Sequence, residues 1–334
     1  MINIKKLASS LLVSVLFVVP TSASAAGVYG VVTNKWDANS STIQNAVLIN
    51  DNKIYAVSSN DYAFLSTENG QTEPNTKGKV SPSFPTKGMV KIDNNRIFIA
   101  GMQGKWKVVG TNGKDVEKGK LSDPRTPRFV KKLLNGKILL VHNDGYYTLL
   151  DTTSKVKVAR TGKWQNNWNI NDTVEFTNGK LLMVGDKGNY QVMSTNDGKV
   201  IESGDWGFPK HGIQSIDQLT DGKMLAVGEG SNIILFDKDG KKIDDSGTVL
   251  SDKPNKKYKW DKVVALEEQH ALVISSSGDI LLVHVDDTNN ISIKAQTKIN
   301  NYAPDKSIFK VKNDRVFVTL TGGRFIIFQI DLDS

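Results

Sequence analysis

No cysteine occurs anywhere in the chain of 334 residues. That excludes disulfides, thiol chemistry, cysteine–zinc sites and redox switching. Histidine is almost as scarce: His142, His211, His270 and His284 lie far apart, with no ligand-like spacing. No Gly-x-Ser-x-Gly is present, so a serine nucleophile elbow is missing too. Beyond the stretch from Leu7 to Val19 there is no apolar run approaching membrane-spanning length.

That single apolar stretch reads as an export signal. Lys5 and Lys6 supply its positive start, Pro20 breaks it, and Ala23-Ser24-Ala25 offers a small-residue cleavage pattern. Residues 1–25 are therefore expected to be removed, leaving a secreted or cell-surface-associated bacterial protein that starts near Ala26. Without disulfides, residues 26–334 must be held together by core burial, which a domain of this size can supply. The formal charge is +8, and +6 once Lys5 and Lys6 are gone. This excess suits acidic glycans, anionic wall polymers or extracellular DNA, or else reflects solubility alone.

What the chain does have is a turn that recurs seven times. It reads Asp51-Asn52-Lys53, Asn94-Asn95-Arg96, Asn135-Gly136-Lys137, Asn178-Gly179-Lys180, Asp221-Gly222-Lys223, Glu268-Gln269-His270 and Asn313-Asp314-Arg315. Counted on the third residue, the steps are 43, 41, 43, 43, 47 and 45. Each repeat carries further turns: Lys187-Gly188 and Asp197-Gly198 in the fourth, Asp144-Gly145 in the third, Asp239-Gly240 in the fifth. Short β-rich runs cut by such pairs are antiparallel hairpins, because Asn, Asp and Gly tolerate positive φ at the turn. Four strands per period of this length predict one blade of a propeller, and seven periods predict an all-β, seven-bladed β-propeller in a single domain.

The last repeat ends too early to hold a fourth strand. Val28 to Lys35, followed by Trp36, lines up with the outer strands that precede Trp164 and Trp206. The N-terminal strand is thus expected to complete blade seven and close the ring, removing exposed sheet edges.

Two of the third turns, Ser66-Thr67-Glu68-Asn69-Gly70-Gln71-Thr72 and Ser194-Thr195-Asn196-Asp197-Gly198-Lys199, resemble the Asp-box, Ser/Thr-x-Asp-x-Gly-x-Thr-Trp. The chain is similar in this to the BNR/Asp-box repeat propellers, a group with sialidase-type enzymes and non-enzymatic members. Both boxes are degenerate: Glu68 or Asn196 stands where the Asp should be, and Glu73 or Ile201 at the aromatic end. The resemblance implies the fold, with the boxes in a structural role. A sialidase-type site would need an arginine trio, yet of the six arginines outside the signal only Arg125, Arg128 and Arg324 are expected on one face. The reading is of the non-enzymatic type, with no catalytic residues assigned.

No metal or cofactor is assigned either. Asp237-Lys238-Asp239-Gly240 looks faintly like a calcium loop but lacks the later acidic anchor. The connections between blades are the better candidates, because all of them emerge on one face of a propeller, the usual place for ligands. They hold five of the six tryptophans. Trp36, Trp164 and Trp206 recur at one blade position and read as blade-to-blade packing. Trp168, Phe208, Tyr258 and Trp260 break the repeat. With Arg125, Arg128, Lys210, Lys256 and Lys257 they form the expected ligand-binding set, aromatic rings beside cations. The segment from Lys253 to Trp260 is its sharpest part.

The expected function is non-catalytic binding of an extracellular glycan, an anionic polymer or a surface protein, by a monomer with no transmembrane segment. Two alternatives stand beside it. One is a lyase or hydrolase on acidic glycans using Asp172, Glu175 and Asp217; the other is a structural component of a matrix or envelope.

Overall fold

In a computed structural model the described residues are 27–35, 42–58, 61–74, 76–79, 85–164, 168–176, 179–206, 212–230, 233–245 and 259–332. Residues 1–25, expected to be an export signal, and Trp36, Phe208, Lys210, His211, Lys256, Lys257 and Tyr258 lie outside them.

Among the described residues, twenty-eight strands form seven four-stranded antiparallel sheets, one per blade. The first strand in the chain is β1 (Gly27–Lys35). Blade one is β2 (Asn45–Asn50), β3 (Lys53–Val57), β4 (Asp61–Ser66) and β5 (Gly78–Lys79). Blade two is β6 (Thr86–Lys91), β7 (Arg96–Gly101), β8 (Lys105–Gly110) and β9 (Asp115–Lys120). Blade three is β10 (Pro127–Lys132), β11 (Ile138–His142), β12 (Tyr146–Asp151) and β13 (Lys157–Lys163). Blade four is β14 (Ile170–Glu175), β15 (Lys180–Gly185), β16 (Asn189–Ser194) and β17 (Val200–Asp205). Blade five is β18 (Ile213–Gln218), β19 (Met224–Gly228), β20 (Ile233–Phe236) and β21 (Lys242–Asp245). Blade six is β22 (Trp260–Ala265), β23 (His270–Ser275), β24 (Asp279–Val285) and β25 (Ile291–Lys298). Blade seven is β26 (Pro304–Lys312), β27 (Arg315–Leu320) and β28 (Arg324–Asp331), with β1 paired antiparallel on β28 as its outer strand. The protein is a seven-bladed β-propeller closed by its N-terminal strand, as the repeat predicts.

The turns do what their residues allow. Gln103, Asp144 and Lys187 sit at φ 57, 57 and 58°, each followed by a glycine at positive φ. Glu268 and Gln269, at φ 52 and 60°, make the same left-handed turn without any glycine. One strand departs from the expected pattern. After Asn69-Gly70 the outer strand of blade one begins as a bridge from Thr72 to Leu65, is interrupted at Pro74, which has no amide hydrogen for the ladder, and resumes at Gly78.

The core lies between blades, not within them. Apolar clusters fill every interface around the ring, including the closing one, where Ile54, Ala56 and Leu65 of blade one meet Phe317, Phe325 and Ile327 of blade seven. Middle strands read as continuous apolar runs because both their faces are covered. Along β11, Ile138 and Leu140 point to blade two, while Leu139 and Val141 point to blade four.

On the face opposite the blade connections, the recurring turn has a mechanical role. Thr67, Thr152 and Thr195 donate their hydroxyls to Asp51, Gly136 and Gly179 carbonyls at 2.5, 3.1 and 2.9 Å, tying third turn to first within a blade. The basic third residue then reaches the next blade. Arg96 donates to the Thr152 carbonyl at 3.2 Å, Lys137 to that of Asn196, and Arg315 to that of Thr67 at 3.4 Å.

Candidate ligand-binding site at the channel mouth

The seven inner strands surround a central cavity of about 830 Å³. Its charges are sorted by blade. β6 and β10 carry Lys87, Lys91, Arg128, Lys131 and Lys132 and no carboxylate. β14 and β18 carry Asp172, Glu175 and Asp217 and no cation. Among the residues lining the cavity, Lys87, Arg128, Lys131, Lys262 and Lys310 face Asp172, Asp217 and Asp261, so five positive and three negative charges leave a net +2.

Each of those carboxylates is already bonded. Asp172 is buried and accepts from the Ser215 hydroxyl at 2.7 Å, the Ile216 amide at 3.3 Å and the Lys262 ammonium at 2.8 Å. Burial pushes its pKa up, but Lys262 and Lys131 outweigh that, and the net position is below the usual carboxylate range. The Lys262 ammonium is correspondingly held up: burial lowers it, and Asp172 more than compensates. Asp217 accepts from the Ala265 amide at 2.9 Å and Asp261 from the Ser276 amide at 2.5 Å. Glu175, toward the far end of its strand, accepts from the Leu134 amide at 2.5 Å, and burial raises its pKa. Among the described residues no three or more acidic or histidine side chains gather as metal ligands.

The channel end nearest the blade connections is shaped by bulges. In blades two to six the register slips at the second residue of the inner strand, leaving Lys87, Arg128, Asn171, Gln214 and Asp261 outside the ladder. A bulge re-aims its side chain, and all five of these line the cavity. Asn171 is a brace: its amide donates to Asp186 at 3.0 Å and to the Ile213 carbonyl at 2.9 Å, while its oxygen accepts from Arg128 at 3.2 Å.

Around this mouth the loop face carries rings paired with cations. Arg125 lies 3.5 Å and Lys163 4.5 Å from the Tyr146 ring centre, Lys187 4.1 Å from that of Trp168, and Arg324 4.5 Å from that of Tyr302. Of the residues expected to bind ligand, Trp168, Arg125 and Arg128 stand at this face. Phe208, Lys210, Lys256, Lys257 and Tyr258 fall outside the described residues.

Trp260 requires a correction. It is 1% exposed, packed between blades five and six against Leu225, Val227 and Ile233, and offers no face to a ligand. It opens β22, so its irregular place in the repeat is a strand position pointing into the core. Trp164 is buried and Trp206 stacks at 4.3 Å on Tyr190, which fits the packing role read for them. The reading by sequence missed Lys87, Gln214 and Asp261; their signal, a polar second residue of each inner strand, is visible only once the blades are aligned.

No family model matches the sequence, and no curated protein does. Among solved structures the chain is similar to one described as a streptogramin B lyase structure, with a TM-score of 0.72. The superposition covers 92% of this chain and 98% of that one. At 14% identity the likeness is one of fold alone.

Proposed function

We propose that this propeller is a secreted, non-catalytic binding protein that holds an anionic extracellular polymer, or an acidic patch of a surface protein, at its loop face. The observation that carries this reading is the charge balance of the channel: its carboxylates are all occupied by protein donors, while Lys87 and Arg128 at the mouth have no carboxylate partner among the described residues. The ring-paired cations Lys163, Lys187 and Arg324 extend the same preference across the face, whereas Arg125 is ion-paired with Asp123. Their rings add stacking area for a sugar or a planar group. The degenerate Asp-box turns support a place among the non-enzymatic BNR/Asp-box-like propellers. Asn69 and Asp197 accept from the amides of Gln71 and Lys199 at 3.0 and 3.1 Å, bonds that stabilise a turn and perform no chemistry.

The lyase or hydrolase reading needs Asp172, Glu175 or Asp217 as acid or base. Asp172 is held ionised by Lys262, and Asp217 is bonded to a backbone amide. Glu175, whose pKa burial raises, is not among the residues that line the cavity, which argues against an acid–base pair at a bound substrate. The test is retention of the 26–334 chain on immobilised polyuronate, wall polymer and neutral glycan at low and high salt. Salt-sensitive retention on the anionic matrices is expected. Equal retention on neutral and anionic matrices, or none on any, refutes the reading.

A further inference from the structure

The bulged ring at the channel mouth is polarised in a way that specifies more than an anion. Going round from blade two to blade six it reads Lys87, Arg128, Asn171, Gln214, Asp261. Two cations stand side by side on adjacent inner strands, an amide stands opposite them, and a carboxylate closes the arc. Lys87 and Gln214 make no side-chain hydrogen bond to the protein among the described residues, whereas Asn171 is fully engaged in holding Arg128. With one guanidinium nitrogen tied to Asn171, the remaining donors of Arg128 are free and fixed in direction, which suits a planar two-oxygen acceptor.

The far side of the mouth is less hospitable to dense negative charge. Asp261 and the buried Asp172 face the same cavity, and the net lining charge is only +2. A singly charged carboxylate or phosphodiester against blades two and three meets little repulsion, and a phosphate monoester dianion meets more. Between the two singly charged groups, the planar fork of Arg128 matches the flat carboxylate. Hydroxyls placed toward Gln214 and Asp261 would find an amide and the Asp261 Oδ1, the oxygen not taken by the Ser276 amide. The cavity of about 830 Å³ admits one or two sugar rings, not a folded chain end.

We infer that the channel mouth is a seat for a uronate-type sugar residue, with its carboxylate on Lys87 and Arg128 and its hydroxyls toward Gln214 and Asp261. This rests on the binding function proposed above and assigns that function's specificity to the mouth instead of the outer loops. A single acidic unit of a polymer enters the channel, and the ring-paired cations of the loop face carry its neighbours.

The experiment is calorimetric titration of the 26–334 chain with a trigalacturonate, and separately with a glycerol phosphate oligomer of equal length. It is repeated for Lys87→Ala, Arg128→Ala, Arg128→Lys and Lys199→Ala, each checked by thermal melt. The uronate should bind the parent chain. Lys87→Ala and Arg128→Ala should each weaken it about tenfold or more, since each removes a charge-assisted bond. Arg128→Lys should restore only part of that loss, and Lys199→Ala, at a third turn on the opposite face where its ammonium pairs with Asp197, should leave the trimer's affinity within about twofold. Uronate binding that is indifferent to Lys87 and Arg128 overturns the seat and leaves the wider binding function standing. Preference for the phosphate oligomer overturns the assignment to a carboxylate. No retention of any polymer on the columns overturns the function and the seat together.

Discussion

Replacing Trp260 and Trp168 by alanine, one at a time, separates packing from contact. Trp260 is 1% exposed and fills the interface of blades five and six. Truncating a buried Trp to Ala costs about 3–5 kcal/mol through lost transfer energy and the cavity left behind. For a domain of about 300 residues, with an unfolding entropy near 2.1 cal/mol/K per residue, ΔS is about 0.6 kcal/mol/K. The expected fall in Tm is therefore about 5–8 °C. Trp168 is half-buried and its recorded ring partner is the Lys187 ammonium at 4.1 Å, a contact of about 0.5–1 kcal/mol. Its removal should lower Tm by only about 1–2 °C while weakening retention on a polyanion matrix. Differential scanning calorimetry and the column assay together decide the matter. A Trp260→Ala protein that melts with the parent chain but loses retention would refute the core placement.

Four further outcomes follow from the same contacts. Gly204 pairs directly with Tyr190, and an added Cβ would lie 2.8 Å from a ring already stacked on Trp206; Gly204→Ala should cost about 1–3 kcal/mol in urea titration. Asp172→Asn strands the Lys262 ammonium; a fully buried pair loses about 3–5 kcal/mol, and because Lys262 is partly exposed about 2 kcal/mol is expected, much of it regained in Asp172→Asn/Lys262→Met. His270 is held below the ordinary histidine range, first by burial and then by His284, whose ring centre is 4.6 Å away. The unfolded chain thus takes up a proton near pH 6.5 that the native fold resists, so this contribution is present above that pH and lost as pH falls below it. The denaturant midpoint should drop between pH 7.5 and 5.5, less steeply in His270→Gln. Deleting residues 1–35 removes the strand paired on β28, and the exposed edge should produce aggregates in size-exclusion chromatography.

Much of the fold was legible because it is local and repeated. A turn such as Asn135-Gly136 announces a hairpin from two residues, since Gly136 sits at φ 83° where little else is comfortable. Seven such turns at a near-constant step, with a final repeat one strand short, determine a closed seven-bladed ring and its N-terminal closure. The apolar middle strands likewise announce burial on both faces.

The candidate site was only partly legible, and the reason is register. Whether Trp260 faces the core or the solvent depends on how β22 pairs with β23 and where the strand bulges, and those partners lie up to 15 residues apart in the chain. The same holds for the mouth. Arg128 stood out as a cation in a loop-like stretch, but Lys87, Gln214 and Asp261 are ordinary polar residues until five bulges turn them into one arc. The occupation of the carboxylates is also a tertiary fact. Lys262 reaches Asp172 across 90 positions of sequence, from blade six past blade five to blade four. The sequence by itself determined the number of blades, their turns and their closure, because backbone conformation follows from near neighbours. Only the tertiary structure decided which rings are buried and which charges remain free, because both depend on blades that meet around a ring.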